Sequence, residues 1–288
     1  MKFLKGKSLV GFVFLGTLLS LFVLFADDYV VGELQGELGN QMFIIAATIG
    51  FSEENGLVPC FPALLTDERW NIPENFQAIF FRLNGHAPNV RIRSIYNEPY
   101  FHYCKVPPSR NVLLRGYFQS EKYFIHCKDK VLNIFAPSEE IISYLTSKYG
   151  PILENSNTVS IHCRDYRRDT EQIYHLNCTR EYYINAMKHF PKESLFVVFS
   201  NNIEWCKTIF SGIEENIIFI EGENRYHDLY LMSLCKSNII ANSTYSWWAA
   251  YLNRNPNKLV VAPRKWFGEA YDMHNTEDLI PKSWIIEN

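Results

Sequence analysis

Apolar and polar positions alternate in blocks through the second half of the chain. Short apolar runs at 158–162, 194–200, 217–220, 238–241 and 258–262 predict strands. Amphipathic stretches separate them: a helix from Arg180, capped by Thr179, then helices over 203–210, 227–235 and 244–253. Strands alternating with helices through short connections predict a parallel sheet covered on both faces. The first half is less regular. Residues 29–34 predict a strand, and 36–39 a turn. Asn40 is placed to cap a helix that ends before Gly56, with further strands at 58–61 and 112–117. Residues 62–110 hold six of the thirteen prolines and give no clear pattern. The stretch around 136–157 reads as a seam between two α/β halves, 27–150 and 151–288.

The N-terminus has a different pattern. Lys2, Lys5 and Lys7 precede an uncharged run over 8–26 that ends at Asp27 and Asp28. At about 1.5 Å per residue this nearly matches the roughly 30 Å of a bilayer core. The lysines place residues 1–7 on the cytosolic side, so the run predicts a type II signal anchor; a cleaved signal peptide is the alternative. Either one puts the remaining chain in the lumen, where disulfides are permitted. The seven cysteines, an odd number, include no C-x-x-C pair and no zinc spacing. Cys206 and Cys235 fall on apolar helix faces and read as core. Asn177-Cys178-Thr179 is a glycosylation sequon, so Asn177 is expected to carry glycan. Asn242-Ser243-Thr244 is a second sequon set among buried neighbours.

Composition removes some functions. Net charge is −3, which gives no nucleic-acid footprint, and 15% aromatic residues read first as core. No G-x-G-x-x-G follows a strand, which argues against a dinucleotide cofactor, and no G-x-S-x-G elbow is present. No D-x-D of the kind that holds a metal-bound nucleotide sugar occurs either, so neither a metal nor a cofactor is expected.

In parallel sheets, ligands bind at the carboxyl ends of strands. Those ends carry His162 and Arg164, then Ser200-Asn201-Asn202, then Asn242-Ser243-Thr244-Tyr245-Ser246 opening into a helix; Asp228 begins another helix nearby. A hydroxyl-rich loop at a helix N-terminus offers amides to an anion, and an arginine offers a fork that matches phosphate oxygens. Arg167 and Arg168 read instead as a solvated charge run.

Four stretches resemble the α-1,2-fucosyltransferase family. Gly36-Glu37-Leu38-Gly39-Asn40-Gln41-Met42-Phe43 is similar to its G-R-L-G-N-Q-M-F signature, with Gly36, Gly39, Asn40 and Gln41 matching. Gly116 to Phe124 resembles its G-Y-F-Q-S segment, and Ile161 to Tyr166 its H-x-R-R-G-D-Y motif. Asp228 to Leu252 is similar to its long D-x-x-L-M-S…A-N-S-T-x-S-W-W block. The resemblance implies a GT-B-like fold, in which two Rossmann-like halves face each other across a cleft. It implies transfer of L-fucose from GDP-fucose to the 2-hydroxyl of a galactose-type acceptor on a glycoprotein or glycolipid, with inversion and without a required metal. It also implies a Golgi membrane location. By position, Arg164 would hold the β-phosphate and serve catalysis. His162 and Asp228 would meet the guanosine, and Asn242, Ser243, Thr244 and Ser246 would line the donor site. Three departures stand out: Glu37 replaces the usual arginine, the second arginine and the glycine after Arg164 are missing, and Asn201-Asn202 replaces an aspartate pair. They leave open two alternatives, a non-catalytic membrane glycoprotein of the same fold and a fucosyltransferase of another linkage. No general base is legible; Glu37 and Glu121 are candidates.

Overall fold

The computed structural model describes residues 28–84, 90–167 and 173–288. The tail and membrane span expected over 1–26 lie outside them, as does Arg168. Among the described residues, no helix is long and apolar enough to cross a membrane.

Two all-parallel sheets organise the chain. The first has the order β2-β1-β4-β3, from β1 (Tyr29–Gly32), β2 (Val58–Cys60), β3 (Ser94–Asn97) and β4 (Val112–Arg115). The second has the order β10-β9-β8-β5-β6-β7, from β5 (Thr158–Cys163), β6 (Leu195–Ser200), β7 (Asn216–Phe219), β8 (Ser237–Ile239), β9 (Val260–Pro263) and β10 (Ile285–Glu287). In the first half, α1 (Leu38–Asn55) leads to the short helices α2 (Ala63–Thr66), α3 (Ile72–Asn75) and α4 (Lys128–Ile134). Helix α5 (Glu139–Leu153) occupies the stretch expected to be a seam; Ser138 caps it by accepting the Ile141 amide. The second half adds α6 (Arg180–Met187), α7 (Ile203–Ile209), α8 (Arg225–Leu234) and α9 (Thr244–Leu252). The α/β class and the GT-B-like pairing of parallel sheets agree with expectation.

The two halves are joined by packing. One apolar core runs through both, from Val30 and Phe43 to Trp247, Trp248 and Trp284. Helix α1 is buried nearly all round, as a helix apolar on every face must be. The Phe43 ring lies 4.5 Å from that of Trp247 and 5.1 Å from that of Trp248 on α9. Trp248 Nε1 donates to Gly39 O at 3.0 Å, so the indole is satisfied inside this core.

The start of α1 also corrects an expectation. Glu37, not Asn40, is its N-cap residue, and it caps without a side-chain bond. Asn40 lies inside the helix and points its amide across to the second half. The helix ends as expected: Gly56 takes a left-handed conformation (φ 62°) and its amide returns to Ser52 O. All seven cysteines are free thiols, with Cys206 and Cys235 buried as expected.

Candidate active site

The site forms where the carboxyl ends of β5 and β8 meet the N-terminal turns of α8 and α9. Strand β5 is fully buried and runs between β6 and β8, so whatever follows it lies at the middle of the sheet edge. His162 is 5% exposed and its Nδ1 has no hydrogen-bond partner. Burial, with the Arg164 charge adding to it, pushes its pKa down to about 3, so the ring is neutral at physiological pH. Tyr245, the second residue of α9, sets its ring 5.4 Å from His162 and donates its hydroxyl to Arg225 O at the start of α8. This tyrosine joins the two helix termini. Nothing in the sequence distinguished it from its loop neighbours.

Helix α8 begins at Arg225, with Asn224 accepting the amides of Tyr226 and His227. Asp228 therefore sits in the first turn rather than at the start. Its Oδ1 is buried without a partner. Burial, reinforced by the Glu223 charge, pushes its pKa up to about 7. Glu223 itself is the anchor of this corner. It accepts hydrogen bonds from Tyr149 (2.8 Å), Tyr144 (2.9 Å), His227 (2.7 Å) and Lys148. Against the cost of burial, these donors bring its pKa down to about 2.

The shift of Asp228 has a consequence for stability. An unfolded aspartate ionises near pH 4, at about 3.9. Between there and pH 7 the native state keeps a proton that the unfolded state has lost, so stability falls as pH rises through this window and levels off above it. Asp228→Asn is expected to remove that slope. The variant should gain on the wild type from pH 4 to 7, by on the order of 1–2 kcal/mol after allowance for solvent. Urea unfolding across pH 4 to 8 checks this; parallel profiles for the two proteins would contradict it.

Arg164 places its guanidinium 5.2 Å over the Tyr166 ring, and Tyr166 donates its hydroxyl to Asn242 O at 3.0 Å. The turn carrying Arg164 is clamped through Asp165, which is 1% exposed. Arg167 forks its carboxylate at 2.8 and 2.9 Å, and Asn202 (2.7 Å) and Asn177 (3.1 Å) donate to it as well. Arg167, followed by these amides, holds the Asp165 carboxyl well below the usual range. Asn201 grips the Asp165 backbone from both sides, accepting its amide at 2.8 Å and donating to its carbonyl at 2.9 Å. Asn201-Asn202, a departure from the family pattern, thus builds the turn, and Arg167, half-exposed as the solvated reading expects, also pairs with Asp165.

Several expected site residues have their side chains committed inside the fold. Asn242 donates to Leu176 O (2.8 Å) and Trp266 O (2.9 Å) and accepts from Cys178 Sγ. Ser246 is wholly buried and donates back to the Ala241 and Ser243 carbonyls. Both side chains tie loops together. Asn177 accepts the Tyr166 amide at 2.8 Å as well as donating to Asp165, so this side chain braces the turn. Ser243 is half-buried at the N-cap of α9 and makes no side-chain cap bond. Thr244 Oγ1 donates to Asn40 Oδ1 at 3.0 Å.

The Gly36–Gln41 turn reaches the same corner. Gly36 is left-handed (φ 71°). Buried Gln41 donates to Gly36 O (2.8 Å) and Trp70 O (2.9 Å) and accepts from Asn75, whose own oxygen takes Arg225 Nη2 and the Tyr226 hydroxyl. The turn therefore braces the start of α8. Of the two candidate bases, Glu37 is exposed with Arg225 Nη1 at 3.9 Å, and Glu121 lies in the turn Glu121–Tyr123.

The profile of glycosyl transferase family 11 matches residues 33–288, nearly the whole described chain. The chain belongs to this family. This family 11 glycosyltransferase is 31% identical over 295 residues to an α-1,2-colitosyltransferase of Escherichia coli, an alignment covering 89% of this chain and 98% of that protein. It is 34% identical over 193 residues to the O-antigen biosynthesis glycosyltransferase WbnK of Escherichia coli, covering 63% of each chain. It is 26% identical over 236 residues to galactoside α-(1,2)-fucosyltransferase 2 of Oryctolagus cuniculus, covering 75% of this chain and 65% of that one. These relatives correct the expected location. The protein aligned over almost its full length is bacterial, and bacteria have no Golgi, so the Golgi placement of this family 11 glycosyltransferase is withdrawn.

Proposed function

We propose that the chain transfers L-fucose from GDP-fucose to the 2-hydroxyl of a galactose-type acceptor, with inversion. The observation that carries this is the pair of buried, unpartnered polar atoms, His162 Nδ1 and Asp228 Oδ1, linked by Tyr245 and set beside Arg164. Buried polar atoms are rarely left unpaired, and the N–H and O–H groups of a nucleoside suit both of these. Arg164 then faces the β-phosphate, with Ser243 and Thr244 at the α9 N-terminus. In the reaction the acceptor oxygen attacks the anomeric carbon from the face opposite the diphosphate, and its hydroxyl proton passes to solvent water. The bond to the β-phosphate oxygen breaks and its electron pair leaves with GDP. The fixed guanidinium and the helix amides stabilise the charge as it develops.

Because the chain itself supplies this cation, GDP is expected to bind without added metal. Calorimetry in excess chelator tests the site; binding seen only with manganese would contradict it. A second donor has support from the α-1,2-colitosyltransferase, which aligns over 98% of its length. Colitose is fucose without its 3-hydroxyl, so the same diphosphate and base contacts serve either sugar.

A further inference from the structure

Gln119 meets the site from the opposite sheet. It follows a turn at the carboxyl end of β4 in which Gly116 has φ 158° and Phe118 has φ 50°, a left-handed conformation unusual for a bulky residue. Half-buried Glu98 enforces this turn. Its Oε2 accepts the amides of Tyr117 (2.8 Å) and Phe118 (2.9 Å), and a Cβ on Gly116 would meet Glu98 Cβ at 2.4 Å. The turn delivers a glutamine that is only 7% exposed. Its Nε2 donates to Asn40 Oδ1 at 3.0 Å, the same oxygen that takes the Thr244 hydroxyl. That bond fixes which way the amide faces. Gln119 Oε1 is left buried with no hydrogen-bond partner.

We infer that Gln119 Oε1 accepts a hydrogen bond from a substrate sugar hydroxyl at the seam between the two halves, which makes Gln119 a specificity-determining residue of the transfer. The inference rests on the glycosyl-transfer reading above. A buried acceptor in a strained, well-braced turn is costly unless something pairs with it. An ionised diphosphate has no hydrogen to donate and the nucleoside is assigned above to His162 and Asp228, so the partner is a hydroxyl of the donor sugar or of the acceptor. Thr244 and Gln119 share Asn40, so this contact lies where the first half borders the α9 terminus.

The test compares wild type with Gln119→Met, which keeps side-chain length and removes both polar atoms. Each is assayed with intact substrates and with every monodeoxy form of the donor sugar and of a galactoside acceptor. Gln119→Met is expected to lower kcat/KM by roughly 10- to 100-fold while GDP affinity stays within about threefold. One deoxy analogue should lose a similar factor in the wild type and no more than about twofold in the variant. A deoxy donor behaving so assigns the contact to the donor sugar, and a deoxy acceptor assigns it to the acceptor. Gln119→Ala gives the same comparison if the methionine variant does not fold. Wild-type transfer by the variant, or equal losses for every analogue in both proteins, would overturn the inference. A wild-type chain that transfers from no GDP-sugar would instead remove the transferase reading, and the inference with it.

Discussion

Arg164→Ala is expected to lower turnover with a GDP-sugar by on the order of 10²- to 10³-fold while changing GDP affinity by less than about tenfold. The difference follows from when the contact matters. Charge on the β-phosphate grows as the glycosyl bond breaks, so a guanidinium fixed over Tyr166 at 5.2 Å gives most of its stabilisation in the transition state. Arg164→Lys should recover only part of the rate, because a point charge cannot form the two-pronged contact. Arg167→Ala is the informative comparison. Arg167 forks Asp165 rather than facing the site, so its loss should loosen the turn and lower stability, with turnover within roughly tenfold of wild type. Steady-state kinetics and GDP titration of the three variants distinguish the roles. Near-normal turnover in Arg164→Ala would assign the phosphate contact to another residue.

Gly39→Ala is expected to destabilise the fold strongly. A Cβ there would lie 2.5 Å from the Thr244 carbonyl carbon and 2.6 Å from both Thr244 Oγ1 and Tyr245 N. Two of these atoms are backbone at the first turn of α9, so relief requires α1 and α9 to move apart. The Phe43–Trp247 and Phe43–Trp248 contacts and the Trp248-to-Gly39 hydrogen bond would be disturbed together. A loss of about 3 kcal/mol or more is expected, with a fall of roughly 6–12 °C in Tm. Gly212→Ala is the control. Gly212 is left-handed (φ 74°) but has nothing within 4 Å of its Cβ position, so only the conformational cost of about 1 kcal/mol applies. Thermal unfolding of both variants checks the ranking; equal losses would mean that the seam between α1 and α9 yields easily.

The close approach at Gly39 also shows why the sequence could be read only in part. The second sheet was legible because β5 and β6 are short apolar runs separated by helices with local caps, such as Thr179 accepting the Tyr182 amide. Periodicity and capping are local, and both are written in consecutive residues. Partners distant in sequence are not. Asn40 has the composition of an N-cap, yet its oxygen is taken by Gln119, 79 positions away, and by Thr244, 204 positions away. Asn242 sits in a donor-like loop, but its amide is spent on the Leu176 and Trp266 carbonyls. The Asp165 clamp assembles from Asn177 on one segment and Asn201-Asn202 on another, so its members looked like a sequon and a loop. Helix α5 was a different kind of omission. Ser138-Glu139-Glu140 is a local start signal, but Gly150 and Pro151 near the far end drew the stretch toward a linker reading. Strand β3 is mostly exposed and lies in the proline-rich region, so it has no apolar run to mark it.

The most direct measurement is the product itself. The purified chain, incubated with GDP-fucose and a β-galactoside, should release GDP and form an α-linked fucose on the galactose 2-hydroxyl, read by NMR of the isolated saccharide. Release of GDP with the sugar on any other hydroxyl, or no product from either GDP-fucose or GDP-colitose, would contradict the proposed reaction.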